Sequence, residues 1–259
     1  DDLQLHQFTN QYYTCYNSYG DTMKKIGLLL LLPLLFTACG TSPKQIVNEA
    51  IEKLELVDNY RETLTAKESV EVLNKVNKRT VVMEKEKDLG SQNYKLNTKV
   101  TKNQEVLEEE TSYYDDKNHI MYTQDRITNE WQKENIQVQD ILNYSILTAD
   151  DVEVEEVESD KTGERKYKIE LSKEDMKRLF YRKTNDEYIS MIIADSGIVY
   201  LYVNVNTRYL TRVEIDLTNI IDMQDPDSTC DQLKLEFEYS EYNNLDPIEI
   251  PDYVTKTAQ

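Results

Sequence analysis

The sequence predicts an α+β domain, in which a large, curved antiparallel sheet carries an N-terminal helix and two short helices. Two patterns support this prediction. Many segments after residue 59 alternate apolar and polar side chains, as half-buried antiparallel strands do. The segment before them instead repeats its apolar residues at helical spacing. A curved half-barrel with helices against its concave face would bury the single apolar face of so many strands.

A short apolar run precedes the predicted domain and has the three parts of a secretory signal peptide. Two lysines form its positive start, residues 26–36 form its apolar core, and small residues lead to Cys39. The run is shorter than the roughly 20 apolar residues that a membrane-spanning helix needs. A short buried helix is the alternative interpretation. We expect residues 23–38 to be a signal peptide and residues 39–44 to be a short tether.

The residues around the expected cleavage site have a known pattern. Phe36-Thr37-Ala38-Cys39 resembles the lipobox of bacterial lipoproteins, in which a cysteine follows an apolar residue and two small ones. The resemblance implies that Cys39 becomes the first residue of the mature protein and carries a diacylglyceryl group with palmitate-like chains. It also implies a lipid-anchored protein on the extracytoplasmic face of the cell membrane. Two acyl chains anchor a protein stably, because each buried methylene contributes about 0.8 kcal/mol.

The segment before the signal peptide, residues 1–22, is polar and lacks a periodic pattern. Because a signal peptide acts at the N-terminus of a chain, we expect this segment to be translated upstream sequence and Met23 to be the start. Gly20-Asp21 is compatible with the codons GGAGAT, a purine-rich ribosome-binding sequence. The predicted single domain then covers residues 45–259.

Composition limits the partners of this domain. The chain has 30 basic and 49 acidic residues and a formal net charge of −19, which argues against nucleic acid because phosphate binding needs a basic face. It also argues against electrostatic docking on anionic lipid, so the acyl group is expected to supply the membrane attachment. Cys230 is the only cysteine after Cys39, so no disulfide is expected in the mature domain. The Lys-, Asn-, Glu- and Tyr-rich composition favours a low-GC Gram-positive origin.

The first predicted element is an amphipathic helix. Ser42 or Thr41 can cap it, and Pro43 suits its first helical position. Its polar face is acidic, so packing on a core is favoured over lying on a membrane. The apolar positions that recur at helical spacing are Ile46, Val47, Ala50, Ile51 and Leu54.

The remaining elements follow from period-two alternation and turn signals. The predicted strands are residues 60–69, 80–87, 93–102, 105–114, 119–124, 127–133, 152–158, 167–171, 198–205, 209–217 and 232–240. A helical pattern covers residues 138–147, and a capping-box-like start at Ser172 predicts a second helix to about Arg182. Residues 188–194 suit a strand or a helix, and residues 244–251 form an extended closing segment.

This layout resembles the LolA/LppX-like lipoprotein superfamily and, more narrowly, lipoproteins of low-GC Gram-positive bacteria near that group. The resemblance implies a half-open barrel that can enclose an acyl chain. It is carried by the lipobox, the leading helix, the hairpin at residues 113–122, the segment 202–210 and the ending 248–251.

The predicted ligand site is the concave face of the sheet. An apolar ligand would contact the inward positions of three well-alternating strands. The candidate lining residues are Val199, Leu201, Val203, Val213, Ile215, Leu235 and Phe237.

Other candidate sites are weaker. The acidic run at residues 150–156 could attract a cation, but an exposed strand face is the favoured interpretation. A calcium site is conceivable in the loop with Asp222, Asp225, Asp227 and Asp231, although its spacing differs from that of an EF-hand. Cys230 would need a histidine to act as a nucleophile, and His119 is the only histidine after Cys39.

These observations favour a binding protein over an enzyme. The sequence has no Walker loop, dinucleotide motif, zinc signature or nucleophile elbow, so no catalytic residue, metal or cofactor is expected. The favoured function is a membrane-anchored carrier or binding module for an apolar, lipid-like ligand in the concave sheet. The alternative is a cell-envelope interaction or sensory lipoprotein with a closed core, which docks a protein partner through its acidic surface.

Overall fold

A computed structural model of the chain describes residues 41–72, 75–124, 128–136, 142–180, 195–218 and 228–258. They belong to one compact unit, Thr41–Gln259. The predictions for residues 1–40, including the lipid on Cys39, lie outside the described ranges. The same holds for residues 188–194 and for Asp222, Asp225 and Asp227.

The described unit is one antiparallel sheet with short helices. Its strands are β1 (Asn59–Val72), β2 (Lys75–Asp88), β3 (Asn93–Lys102), β4 (Glu105–Asp115), β5 (Ile120–Gln124), β6 (Trp131–Asn135), β7 (Val154–Val157), β8 (Glu164–Leu171), β9 (Gly197–Asn204), β10 (Leu210–Asp216) and β11 (Ser228–Ser240). The helices are α1 (Pro43–Leu56), α2 (Lys173–Leu179) and α3 (Asp252–Thr257), and Tyr144–Ile146 forms a 3₁₀ turn.

The strand order is β6-β5-β4-β3-β2-β1-β11-β10-β9-β8-β7. Within each half of the sheet, consecutive strands are neighbours, and β11 returns to pair with β1 in the middle. The α+β prediction of a large, open, curved antiparallel sheet is confirmed. None of the helices in the described ranges has the length and apolarity that crossing a membrane requires.

Helix α1 begins as its sequence predicts. The Ser42 hydroxyl accepts a hydrogen bond from the Gln45 amide (3.2 Å), and the Gln45 side chain accepts one from the Ser42 amide (3.0 Å). This reciprocal capping box satisfies two amides that lack helical partners. The five apolar residues predicted to form its buried face are all buried.

The sheet face that carries Leu201, Val213 and Leu235, here called the inner face, packs against the helices. Helix α1 contacts β7, β9 and β10, and α2 contacts β8. Their apolar side chains and the inner positions of β8–β11 form one buried cluster. A smaller cluster lies on the opposite, outer face, where Trp131 and Tyr122 pack against Val254 of α3.

Several elements differ from the sequence predictions. Strand β2 begins about five residues earlier than predicted and β11 about four residues earlier, because the first residues of both strands are mostly polar and do not alternate with apolar ones. Residues 142–147 contain a single 3₁₀ turn in place of the predicted helix, because the Asn143 side chain accepts hydrogen bonds from Ser145 and favours a turn. Helix α3 was not predicted, since its six residues are too few to show a helical period.

Candidate functional site

The seven candidate lining residues meet in one place. Val213 pairs with Leu201 on one side and with Phe237 on the other, and Ile215 lies between Val199 and Leu235. All seven are buried and belong to the cluster that includes the apolar faces of α1 and α2. They form a packed interior, the arrangement expected of a closed core. A role for them in lining a ligand stays a prediction.

A cleft of about 340 Å³ opens beside this core. It lies between the end of α1, the start of β1, the end of β2 and residues 142–145. Apolar and charged side chains meet in it. Its lining residues are Leu54, Glu55, Tyr60, Glu62, Lys87, Leu89, Leu142, Asn143, Tyr144 and Ser145.

Tyrosines form the apolar part of the cleft and continue beneath it. The Tyr60 ring lies 6.1 Å from that of Tyr239, whose hydroxyl is hydrogen-bonded to the hydroxyl of Tyr144. Burial raises the pKa of Tyr239 well above its ordinary value, and the neighbouring Tyr144 phenol raises it further. This phenol therefore stays neutral at physiological pH and is compatible with an apolar ligand.

The other wall of the cleft is charged. Its charged lining residues are Glu55, Glu62 and Lys87. Glu62 is buried and pairs with the buried Lys85, which does not line the cleft and whose ammonium lies 3.3 Å from a Glu62 carboxylate oxygen. The Lys87 ammonium lies 5.8 Å from the centre of the Tyr60 ring and 5.3 Å from that of Tyr94. At these distances a cation–π attraction keeps the Lys87 ammonium over the Tyr60 and Tyr94 rings. The cleft thus combines an apolar floor with fixed charges at one side.

The inner face continues from the cleft across β2–β4. Met83 and Leu96 are half-buried there, and the rings of Tyr94 and Tyr114 lie 5.5 Å apart. Among the described elements, the main helix contacts are with β7–β10. The apolar positions of β2–β4 therefore lie on the part of the inner face away from α1 and α2.

An ion-pair network stabilises the outer face of β9–β11. Arg212 is only 7% exposed, and its guanidinium nitrogens lie 3.1 Å from Asp160, 3.0 Å from Glu214 and 3.7 Å from Glu236. The guanidinium also stacks 3.7 Å above the Tyr202 ring. Burial lowers the pKa of Arg212, but the neighbouring carboxylates, Glu214 first, raise it above its ordinary value. Arg212 is therefore a structural cation that neutralises the acids around it.

Replacing Arg212 by Met should lower the free energy of unfolding by about 2–3 kcal/mol, as measured by urea denaturation. Removing one member of a buried ion pair costs about 3–5 kcal/mol, and Glu214 and Glu236 retain part of their hydration, which reduces the loss. Arg178 provides a matched control, because it lies 3.1 Å from Asp175 but is exposed. Arg178→Met should cost less than about 1 kcal/mol. Equal losses for the two variants would contradict the structural role of Arg212.

The acidic run at residues 150–156 lies at the sheet edge formed by β7. Its carboxylate residues are exposed. Within the ranges that the structure covers, no cluster of three or more His, Cys, Asp or Glu has an arrangement that could hold a metal ion. Glu155 and Glu156 lie on β7, whereas Asp150, Asp151 and Glu153 lie in the turn before it, so the predicted strand face covers only the end of this run. Asp231, on β11, is also exposed.

Cys230 and His119 lie at opposite ends of the strands. Cys230 pairs with Val70 near the end of β1, whereas His119 follows β4 at the level of the start of β1. The length of β1 between these levels is about 36 Å. His119 is instead within 3.2 Å of the Tyr114 hydroxyl, and burial raises the pKa of the Cys230 thiol. The two residues therefore do not form a nucleophile–base pair.

Sequence reasoning missed the cleft. Its walls come from α1, β1, β2 and residues 142–145, which are distant in the chain. Because a helix was predicted at residues 138–147, the turn that carries Tyr144 was not predicted. One signal was present. Glu62, Lys85 and Lys87 are charged residues at positions where strand alternation predicts inward-facing side chains.

Comparisons with known proteins give fold-level similarities. No family model and no curated protein matches the sequence. The chain is similar to the lipoprotein LppX of Mycobacterium tuberculosis, at 8% identity and a TM-score of 0.47, over 80% of this chain and 98% of that one. It is similar to LprF of Mycobacterium bovis, at 13% identity and a TM-score of 0.44, over 82% and 97%. A domain described as an outer-membrane lipoprotein-sorting protein from Vibrio parahaemolyticus gives 9% identity and a TM-score of 0.29, over 83% and 98%.

Proposed function

We propose that the mature chain is an extracytoplasmic lipoprotein, anchored through acylated Cys39, that binds an apolar, lipid-like ligand in the cleft beside α1. The observation that carries the proposal is the composition of the cleft. An aromatic and leucine-lined floor lies next to a wall of charged side chains. Sites for small amphipathic ligands commonly combine an apolar lining with a few placed polar groups.

The apolar part of such a ligand would contact apolar side chains inside the cleft and beyond it. Leu54, Leu142 and Tyr60 line the cleft, and the half-buried Met83 and Leu96 extend the same face. At about 340 Å³ the cleft is at the small end of ligand sites, which span about 300–1,000 Å³. It therefore suits one acyl chain or a comparably slender apolar group.

The polar end of the ligand would lie at the charged wall. Glu62 and Lys85 satisfy each other, so their pair presents little net charge. Lys87 also lines the cleft and can donate hydrogen bonds to a headgroup oxygen while its stem remains on the tyrosines. A headgroup with oxygen acceptors fits this wall better than a purely hydrocarbon molecule does.

Ser145 offers a way to block the cleft without removing a core residue. It is exposed at the cleft rim, so Ser145→Trp should place a bulky ring over the opening. We expect binding of an environment-sensitive acyl probe to weaken about tenfold, because displaced apolar contacts of this size are worth about 1–3 kcal/mol. Fluorescence titration of the purified protein measures the change.

Ser196→Trp is the matched control, since Ser196 is exposed but does not line the cleft. Its probe affinity should equal that of the unmodified chain. Native mass spectrometry of protein extracted from membranes should also detect a non-covalent lipid-like ligand. If no such ligand is detected and the probe does not bind, the ligand-binding proposal is wrong.

A second function, docking of an envelope protein partner, is favoured by a different observation. The seven predicted lining residues fill a closed core. In addition, the edge strand β7 has the exposed acids Glu155 and Glu156, and Asp150, Asp151 and Glu153 precede it. A partner with a basic surface would complement this edge. A chain that binds no acyl probe would favour this second function.

A further inference from the structure

The segment between β11 and α3 crosses the outer face of the sheet. This segment, residues 241–251, is here called the strap. Asn59 of β1 exchanges two hydrogen bonds with the Leu245 backbone, at 3.0 and 3.3 Å. Side chains of β2 and β3 bind the Ile248 amide (3.1 Å) and the Ile248 carbonyl oxygen (2.8 Å). These hydrogen bonds hold the strap over the ends of β1–β3.

A half-open cavity of about 510 Å³ lies between the strap and the sheet. Its floor is one cross-strand row, formed by Arg61, Glu86, Lys95 and Tyr113 of β1–β4. Its roof is formed by residues 241 and 244–249 of the strap. Successive residues of a strand face opposite sides of a sheet, and Arg61 directly precedes Glu62 of the cleft. The strap cavity and the cleft therefore lie on opposite sides of the sheet.

Acidic residues outnumber basic ones in the strap cavity. Its lining includes two basic and four acidic side chains. The Arg61 guanidinium lies 2.8 Å from the Glu86 carboxylate, so these two charges largely neutralise each other. The remaining acids are on the exposed strap and are Glu241, Asp246 and Glu249. An anionic ligand is therefore disfavoured, because it would meet like charges.

Several polar groups of the strap cavity can bind a ligand. Within the described ranges, no hydrogen bond or ion pair involves the side chains of Lys95, Asp246 or Glu249. The ammonium is a donor, the carboxylates are acceptors, and the Tyr113 hydroxyl can act as both. Hydrogen bonds that involve a charged group are stronger than neutral ones. A neutral ligand rich in hydroxyl groups matches this mixture of donors and acceptors.

Aromatic side chains border one side of the strap cavity. The Tyr113 ring lies 5.9 Å from that of Trp131, which lies 6.3 Å from the Tyr253 ring. Burial raises the pKa of Tyr113, and the nearby Tyr253 raises it further, so the Tyr113 phenol stays neutral. Tyr253 is 58% exposed. The C–H face of a sugar ring can pack on such a ring, because the face of an aromatic ring is electron-rich.

We propose that the strap cavity binds a neutral oligosaccharide, whose hydroxyl groups contact Lys95 and Asp246 and whose chain extends towards Tyr253. The cavity volume lies within the range of about 300–1,000 Å³ that is usual for ligand sites. A peptide fits less well, because the backbone groups of β1–β4 beneath the cavity are paired in the sheet and cannot accept an added strand. The site does not depend on a ligand in the cleft.

Trp131 provides a reporter for sugar binding, because it is the only tryptophan in the chain. Cellobiose, lactose and N,N′-diacetylchitobiose are titrated into the purified full-length chain, in a detergent without a sugar headgroup. At least one of them should bind saturably, as measured by calorimetry, and change the Trp131 emission. Sorbitol lacks a ring and glucose 6-phosphate is anionic, so both should bind at least about tenfold more weakly.

Substitutions on the exposed strap and on α3 locate the sugar. Asp246→Ala should weaken disaccharide binding about tenfold, because a hydrogen bond to a charged group is lost. Asp151→Ala makes the same change at an exposed acid before β7 and should leave the affinity unchanged. Tyr253→Ala should weaken binding about fivefold, whereas Tyr253→Phe keeps the ring and should bind normally. Circular dichroism verifies that each variant is folded.

Three results would overturn the proposal. The first is that none of the three disaccharides binds saturably. The second is an equal loss of affinity in Asp246→Ala and Asp151→Ala. The third is loss of sugar binding in Ser145→Trp, which would locate the sugar in the cleft. Asp246→Ala should leave acyl-probe binding unchanged, so the sugar site and the proposed lipid site can fail separately.

Discussion

Cys39→Ala should remove the lipid from the protein and abolish stable membrane attachment of its mature form. The proposed anchor depends on the thiol, which is the only site in the lipobox that can accept the diacylglyceryl group. Each methylene of an acyl chain contributes about 0.8 kcal/mol to membrane binding, so two chains anchor the protein stably. The variant should appear either as a mature-size chain in the soluble fraction or as an unprocessed precursor.

Cell fractionation and metabolic labelling with an alkyne fatty acid measure this effect. The unmodified chain should incorporate the label and remain with membranes after an alkaline wash, which removes peripherally bound proteins. Cys230→Ala is the matched control, because Cys230 lies on β11 and packs against the core. It should be labelled and retained normally. A Cys39→Ala chain that is fully processed and still membrane-bound after the wash would show that Cys39 is not the anchor.

Leu201→Ala should lower the free energy of unfolding by about 3 kcal/mol. Leu201 has no exposed surface, lies between Tyr167 and Val213 in the sheet and belongs to the core beneath α1. Leu→Ala substitutions at such sites cost about 2–5 kcal/mol, because they lose buried apolar surface and leave a cavity. Urea unfolding followed by circular dichroism measures the loss.

Leu56→Ala makes the same chemical change on an 81% exposed side chain and should alter stability by less than about 0.5 kcal/mol. The pair also distinguishes core packing from ligand lining. If Leu201→Ala leaves stability nearly unchanged but abolishes acyl-probe binding, Leu201 lines a ligand and the closed-core interpretation is wrong. A large stability loss with normal probe binding would show that Leu201 packs in the core and does not line the ligand site.

Strand identity was predictable where alternation was strong. β3 has the predicted bounds, and β9 and β10 differ by one residue at each end, because apolar and polar residues alternate clearly along them. The start of β2, from Lys75 to Arg79, is mostly polar and belongs to the long hairpin that β2 forms with β1. Such residues are ordered by backbone pairing with β1, which leaves no hydrophobic signal in the sequence.

The candidate site was predictable only in part. Alternation identified the inner face, and the structure brings all seven candidate residues together on it. Helices against this face were predicted, but whether they would leave a cavity or close the core was not, since that depends on packing between distant segments. The cleft also depends on Tyr144, whose position follows from a local hydrogen bond between Asn143 and Ser145.

The pairing of β1 with β11 has a consequence for how the protein acquires its structure. The strands β1–β6 form successive hairpins, which need only local loop closure, whereas the sheet becomes continuous only when the final strand reaches the first. Contacts between distant segments slow folding, because the entropy of closing a long loop is lost before those contacts stabilise the chain. Completion of the sheet should therefore be the late, rate-limiting step. Until then β1 and β10 expose unpaired edges that favour aggregation. A chain exported unfolded would pass this vulnerable stage outside the cytoplasm, where an early membrane tether would limit encounters between incomplete copies.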